Sequence, residues 1–355
     1  MSTSLTMHEA PALRRGNWLM AAFGGWGGVV GAVICLGLLA LVAPGALRWL
    51  IFDAVPVGTA ETCRAASGAC WAFVANKTDF ILFGFYPAAE RWRAWIAIAV
   101  LAAAIGLTAT PAMWRPWRIA AVWIIAAPLF LWLMGGGLGL TPVPNSAWGG
   151  LPLSLMFSLM SILAAFPLGV ALALGRRSEM PLIRWLCAVL VELPRGVPFL
   201  SILFMASIML PLFLPVWMTP DKLGRAMIAF VWIAACYHCE AVRGALQSLP
   251  PGQIDAARAL GLGWWKTQRL IILPQACRVA LPALTNNALT FLKETSLVSV
   301  IGLYDLLGTV QAAGRDPDWL GYTIEGFVFA AALYMTGCAL LSAYAGWLER
   351  RLSRA

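Results

Sequence analysis

A chain of 355 residues that is 61% hydrophobic and only 12% charged has about half the charged fraction of a soluble domain, which excludes a water-soluble fold. Its net charge of +9 does not indicate nucleic acid, because the basic residues cluster beside apolar runs and no basic surface stands free of them. Apolar runs of about 20 residues recur, long enough for membrane-crossing helices and too long for barrel strands. The expectation is an all-α, polytopic membrane protein.

Residues 1–17 form a polar tail with His8, Arg14 and Arg15. It has no cleavable signal, so the first apolar run, 18–42, stays as span 1. Residues 45–91 are the longest outer segment and contain Cys63 and Cys70. An oxidising compartment would permit a disulfide between them, and the sequence leaves this open. The other six cysteines fall in or beside apolar runs and read as packing residues. Cys236 and Cys239 form a CxxC without further ligands, so no metal site is expected. Spans 2 and 3 are read at 92–110 and 119–140, and span 4 at 151–174. Span 5, at 184–214, is interrupted by Glu192-Leu-Pro-Arg195-Gly196-Val-Pro198, a composition that kinks or breaks a helix. Spans 6, 7 and 8 are read at 225–249, 281–303 and 322–347. Charge alternation around these eight spans favours both termini inside.

Between spans 6 and 7 lies a water-compatible stretch, 240–276. Its middle reads as a two-helix hairpin, 253–260 and 264–272, split by Gly261 and closed at Pro274. A hairpin of this kind between two spans is a docking element for something in the water. No phosphate-binding loop, HExxH or GxSxG occurs, so no catalytic residue, metal or cofactor is expected in this chain.

Within span 7, Asn286, Asn287, Thr290, Lys293 and Glu294 fall on one helical stripe. Glu294 lies about 20 Å from the inner end, at 1.5 Å per residue. In span 6, His238 and Glu240 also lie well inside, with Arg243 placed to pair with Glu240 at i,i+3. Glu192 and Arg195 share that spacing in span 5. Two readings are open for these groups. They are ion pairs that hold helices together, or they line a path with both signs, suited to a zwitterion. Thr295, Ser296 and Ser299 could add hydrogen bonds to either.

Asp255-Ala256-Ala257, Gly261 and Ile271-Ile272-Leu273-Pro274 resemble the EAA loop of ABC-importer permeases, with Asp255 where the family usually has Glu. Glu240-Ala-Val-Arg243-Gly244 and Lys293-Glu294-Thr295-Ser296-Leu297 are similar to the permeases of polar amino-acid ABC importers. The N-terminal Gly84-Phe-Tyr-Pro87 and Glu90-Arg-Trp-Arg93 are similar to the extended permeases of general L-amino-acid importers, the Aap and Bzt type.

The resemblance implies a five-helix core at 148–355, preceded by a three-helix extension at 1–147, with the EAA loop at 250–274. It implies an ATPase docking on Asp255, Ala256, Ala257 and Gly261, with ATP and magnesium held by that partner. A periplasmic amino-acid-binding protein and a related second permease, forming a heterodimer, complete the implied assembly, set in inner-membrane lipid. The pathway candidates are Glu240, His238, Asn287, Lys293, Glu294 and Thr295. The alternative is an ion-coupled secondary transporter using the intramembrane acids; the cytoplasmic hairpin and the lack of an inverted repeat argue against it.

Overall fold

The computed structural model describes residues 26–352. The N-terminal tail with His8, Arg14 and Arg15, the start of span 1, and Arg354 lie outside the described residues. The chain divides into two compact units, one reaching to Ala75 and the other running from Asn76.

In the first unit, helix α1 (Trp26–Leu47) has an unbroken apolar sequence and continues into a wider π turn, Arg48–Phe52. Leu41 and Val33 are well exposed, as lipid-facing side chains are. A short helix, α2 (Ala60–Ala65), follows. The disulfide left open by the sequence is formed, Cys63 to Cys70, with Cα atoms 5.5 Å apart. A bridge between Val55 and Cys70, and a bond from the Trp71 indole to the Leu50 carbonyl, close this loop on itself.

Helix α3 (Trp71–Phe83) runs across the division between the units. In the second unit, α4 (Arg91–Ala109) and α5 (Pro116–Gly135) pack against each other. The long α6 (Gly150–Arg176) follows, then α7 (Pro181–Arg195) and α8 (Phe199–Phe213). The interruption expected in span 5 is a bend of 104° between α7 and α8, placed by Pro194, Gly196 and Pro198. Helix α9 (Lys222–Ser248) begins where Asp221 accepts the Gly224 N–H at 3.1 Å. Short helices α10 (Gly252–Ala259) and α11 (Trp264–Thr267) form the hairpin, and α12 (Leu273–Glu294) follows it. Helices α13 (Leu306–Ala313) and α14 (Thr323–Leu352) complete the unit.

Among the described residues six helices are long and apolar enough to cross a membrane, or seven if α7 and α8 form one bent span. The expected count was eight. The difference is α12, whose polar stripe removes it from that set. The expected stop at Pro274 is also corrected. The chain stays helical through it, because a π turn at Gln268–Ile272 widens the backbone just before the proline. A wider turn relieves the ring's clash with the preceding carbonyls.

The packing centre is the contact of α6 with α9. Ala165, Gly169 and Ala173 recur every four residues on α6 and are buried. A Cβ on Gly169 would stand 2.7 Å from the His238 Cβ and 3.0 Å from the Ala235 carbonyl oxygen. This small-residue stripe lets the two backbones approach closely, as in helix pairs packed inside lipid. A second layer of aromatic side chains joins α6, α8, α9 and α12. Phe230 lies 4.9 Å from Phe157 and 4.7 Å from Phe199 between ring centres.

Candidate functional site

The hairpin is built from its caps. The Leu262 N–H donates to the Ala257 carbonyl at 3.0 Å, and the Gly261 N–H to the Arg258 carbonyl at 2.9 Å. These two bonds are the Schellman arrangement that closes a helix, and they require a left-handed residue between them. Gly261 supplies it, with φ of +74°. A Cβ there would meet nothing within 4 Å, so its own chain leaves that space open. Ala257 is buried beneath the hairpin, whereas Asp255, Ala256, Leu260, Trp264 and Trp265 are exposed. Leu260 is 80% exposed and Trp265 73%. Together they form a contiguous exposed apolar surface on the hairpin.

At the ends of α6, α7 and α9 the charges gather into one cluster. Glu240 takes Arg176 on Oε1, with Arg195 Nη1 at 3.3 Å from the same oxygen. Its other oxygen, Oε2, accepts from Arg243 at 2.6 and 3.1 Å. Arg176 also reaches Glu192 at 2.5 Å, and Arg243 reaches Gln247 at 3.1 Å. Arg195 lies 5.6 Å over the Tyr237 ring. The i,i+3 pair of Glu240 and Arg243 is as expected. The Glu192–Arg195 pair is not formed among the described residues. The bend after α7 sends each of the two to a different partner. Glu240 lies eight residues before the end of α9, about 12 Å along the axis, where Arg176 at the last turn of α6 can reach it.

The remaining pathway candidates do not meet at one point. His238 is buried, with Nδ1 3.5 Å from Asn287 Nδ2. Lys293 is exposed. Glu294 is half-buried, and its Oε2 is a buried atom without a hydrogen-bond partner among the described residues. Thr295 is fully buried and belongs to a different network. Its hydroxyl donates to the Leu292 carbonyl at 2.9 Å and lies 3.1 Å from Tyr334 Oη. Tyr334 donates to Asp305 Oδ2 at 3.0 Å, and Asp305 Oδ1 accepts the Gly308 N–H at 2.9 Å, capping α13. Burial pushes the Asp305 carboxyl up to about 6, against the lowering effect of these hydrogen bonds. Lys77, on α3, pairs with Asp316 and holds that carboxyl below its ordinary range.

Sequence reading missed Arg176 as the partner of Glu240 and missed the Asp305–Tyr334–Thr295 network. Arg176 looked like flanking charge at a span end. Asp305-Leu-Leu-Gly308 does carry a helix N-cap signal, which could have exposed half of that network.

This is a multi-span helical membrane protein with a separate, capped hairpin held outside its spans. Residues 165–354, more than half of the chain, match the family described as binding-protein-dependent transport system inner membrane component. The chain is 41% identical over 338 residues to the inner membrane amino-acid ABC transporter permease protein YhdY of Escherichia coli K12, covering 93% of this chain and 91% of that protein. It is 31% identical over 393 residues to the glutamate/glutamine/aspartate/asparagine transport system permease protein BztC of Rhodobacter capsulatus, covering 91% of this chain and 90% of that one. A crystal structure of an amino acid ABC transporter with histidines aligns over 57% of this chain and 92% of its own, at 28% identity and a TM-score of 0.51. The chain belongs to the family of binding-protein-dependent transport system inner membrane components. It is a transport subunit of the inner membrane, and nothing found favours ion coupling.

Proposed function

We propose that this chain is the permease subunit of an ATP-driven importer that carries amino acids from periplasm to cytoplasm. In this reading ATP and magnesium are held by a separate ATPase subunit, docked on Asp255, Ala256, Ala257 and Gly261. A binding protein delivers the substrate at the outer face, and a related second permease completes the pathway. The termini and the hairpin lie in the cytoplasm.

The observation that carries the reading is the continuity of the hairpin with the helices that bear the pathway candidates. Helix α9, with His238 and Glu240, enters it through Leu249-Pro250-Pro251. Helix α11 leaves it through the π turn directly into α12, with Asn287, Lys293 and Glu294. A partner that binds the hairpin differently in two states therefore biases both helices at once. The lone Oε2 of Glu294 and the exposed Lys293 offer opposite charges to a zwitterion.

The test is co-purification of the ATPase with a Gly261→Glu variant. The open space at Gly261 means that the substitution disturbs the hairpin and its partner rather than the spans. The expected result is loss of ATPase association at least tenfold, with membrane insertion unchanged. Retained association would count against docking at this loop. Retained association together with transport driven by an ion gradient alone would establish the secondary-transport reading.

A further inference from the structure

Helix α7 lies across the last turn of α6. A Cβ on Gly175 would stand 3.7 Å from Ile183 Cγ2 and 3.5 Å from Cys187 Cβ, and Arg176 reaches Glu192 at 2.5 Å. Residues from three turns of α7 therefore meet one turn of α6. Against α9, α7 is held by Arg195, whose Nη1 is 3.3 Å from Glu240 and whose guanidinium lies over the Tyr237 ring. Two ion pairs thus tie α7 to its neighbours, Glu192 to α6 and Arg195 to α9. The Glu192 side chain is 63% exposed and that of Arg195 35%, so each pair is a weak one.

The same five groups admit a second pairing. Glu192 and Arg195 stand at i,i+3 on α7, the spacing at which they can bond each other, yet each is engaged with another helix. Were α7 to swing away, the two would pair on their own helix. Glu240 would keep Arg176 on one oxygen and Arg243 on the other. Neither carboxylate is left alone in either arrangement. Helices α6 and α9 stay together, because Gly169 brings their backbones into close approach. Helix α7 can turn at the bend that joins it to α8, at Pro194, Gly196 and Pro198.

We propose that α7 is a latch across the hairpin-side ends of α6 and α9, held and released by this exchange of partners. Held, α7 has two pairs to its neighbours; released, it has one internal pair. The two states differ by a single weak pair, and states that close in free energy are what a small bias can switch. Glu240 stands eight residues before the end of α9, so a displacement of α9 by the hairpin draws it from Arg195. The latch rests on the importer reading only for what drives it.

The experiment is the rate of maleimide labelling at Cys187, located by peptide mass, in the detergent-purified permease complex. The Cys187 Sγ lies against Gly175 in the held state, and release uncovers it. R176Q and E192Q both break the Arg176–Glu192 contact, but only E192Q also removes the pair that replaces it. R176Q should speed labelling about fivefold, the effect of one partly exposed ion pair, and E192Q less than about twofold. Equal acceleration by the two, or none by R176Q, would overturn the proposal. If R176Q does not fold, E240Q takes its place, because it too removes a contact present only when α7 is held. A second arm locks the latch. The Cβ separation of 3.5 Å between position 175 and Cys187 suits a disulfide, so Gly175→Cys should cross-link on oxidation. The reconstituted complex should then lose transport and regain it with reductant, while the native chain given the same treatment keeps it. Full transport in the locked form would also overturn the proposal. A native complex that carries no amino acid would count against the importer reading, and the labelling contrast would then decide the latch.

Discussion

Glu240 is a carboxylate among three guanidinium groups, and that arrangement decides how its charge is tolerated. Four of its partners' nitrogen contacts fall on only two oxygens, and its side chain keeps 18% exposure. A half-buried ion is stable there because each added hydrogen bond offsets desolvation. Asp305 is the opposite case. It is fully buried and has hydrogen-bond donors, with no cation bonded to it among the described residues. Its carboxyl, at about 6, lies above the ordinary 3.8. The folded state therefore binds the proton more tightly than the unfolded one. The stability this contributes is present below pH 3.8 and is lost as pH rises through 6. Thermal unfolding in detergent between pH 4 and pH 7 should show a falling midpoint in the native chain. Asp305→Asn keeps a competent cap and should flatten that slope; an unchanged slope would remove Asp305 as its source.

At the scale of elements, two glycines test different properties of the chain. Gly261 is needed for a left-handed turn in open space, whereas Gly169 is needed for the close approach of α6 to α9. Gly169→Leu should drive a side chain into the His238 Cβ and the α9 backbone. The expected cost is about 3 kcal/mol or more, read as a lowered unfolding midpoint and reduced yield of folded protein. A neutral effect would mean that the helices separate without penalty. The hairpin itself was legible because its spacing is local: proline entry, acidic first turn, glycine exit. Its second helix was misjudged at Pro274, because a π turn depends on the continuing packing of α12 and leaves no local mark. The bend after α7 was legible, since two prolines and a glycine within seven residues exclude a straight helix.

Across the whole molecule, the division of roles follows from what the chain holds and what it presents. Its exposed hairpin, its paired helices α9 and α12, and its family place it within a larger assembly. Reconstituted with its ATPase and binding protein, the chain should import amino acids only when ATP is supplied. Without the ATPase, a proton or sodium gradient should drive no uptake, and gradient-driven uptake would reverse the assignment.

The class of protein is legible in local patterns of the chain. Hydropathy over tens of residues, the caps of the hairpin and the spacing of the EAA-like motif are short-range properties that need no partner in space. Tertiary structure alone decided which charges meet. Arg176 finds Glu240 across 64 positions and Thr295 finds Tyr334 across 39. It also decided that α12, polar along one stripe, packs among apolar helices, and that Thr295 faces the Asp305 network rather than Glu294. Pairings of this kind depend on where each helix ends and how far its neighbour bends, and those lengths and angles follow from packing that no local segment carries.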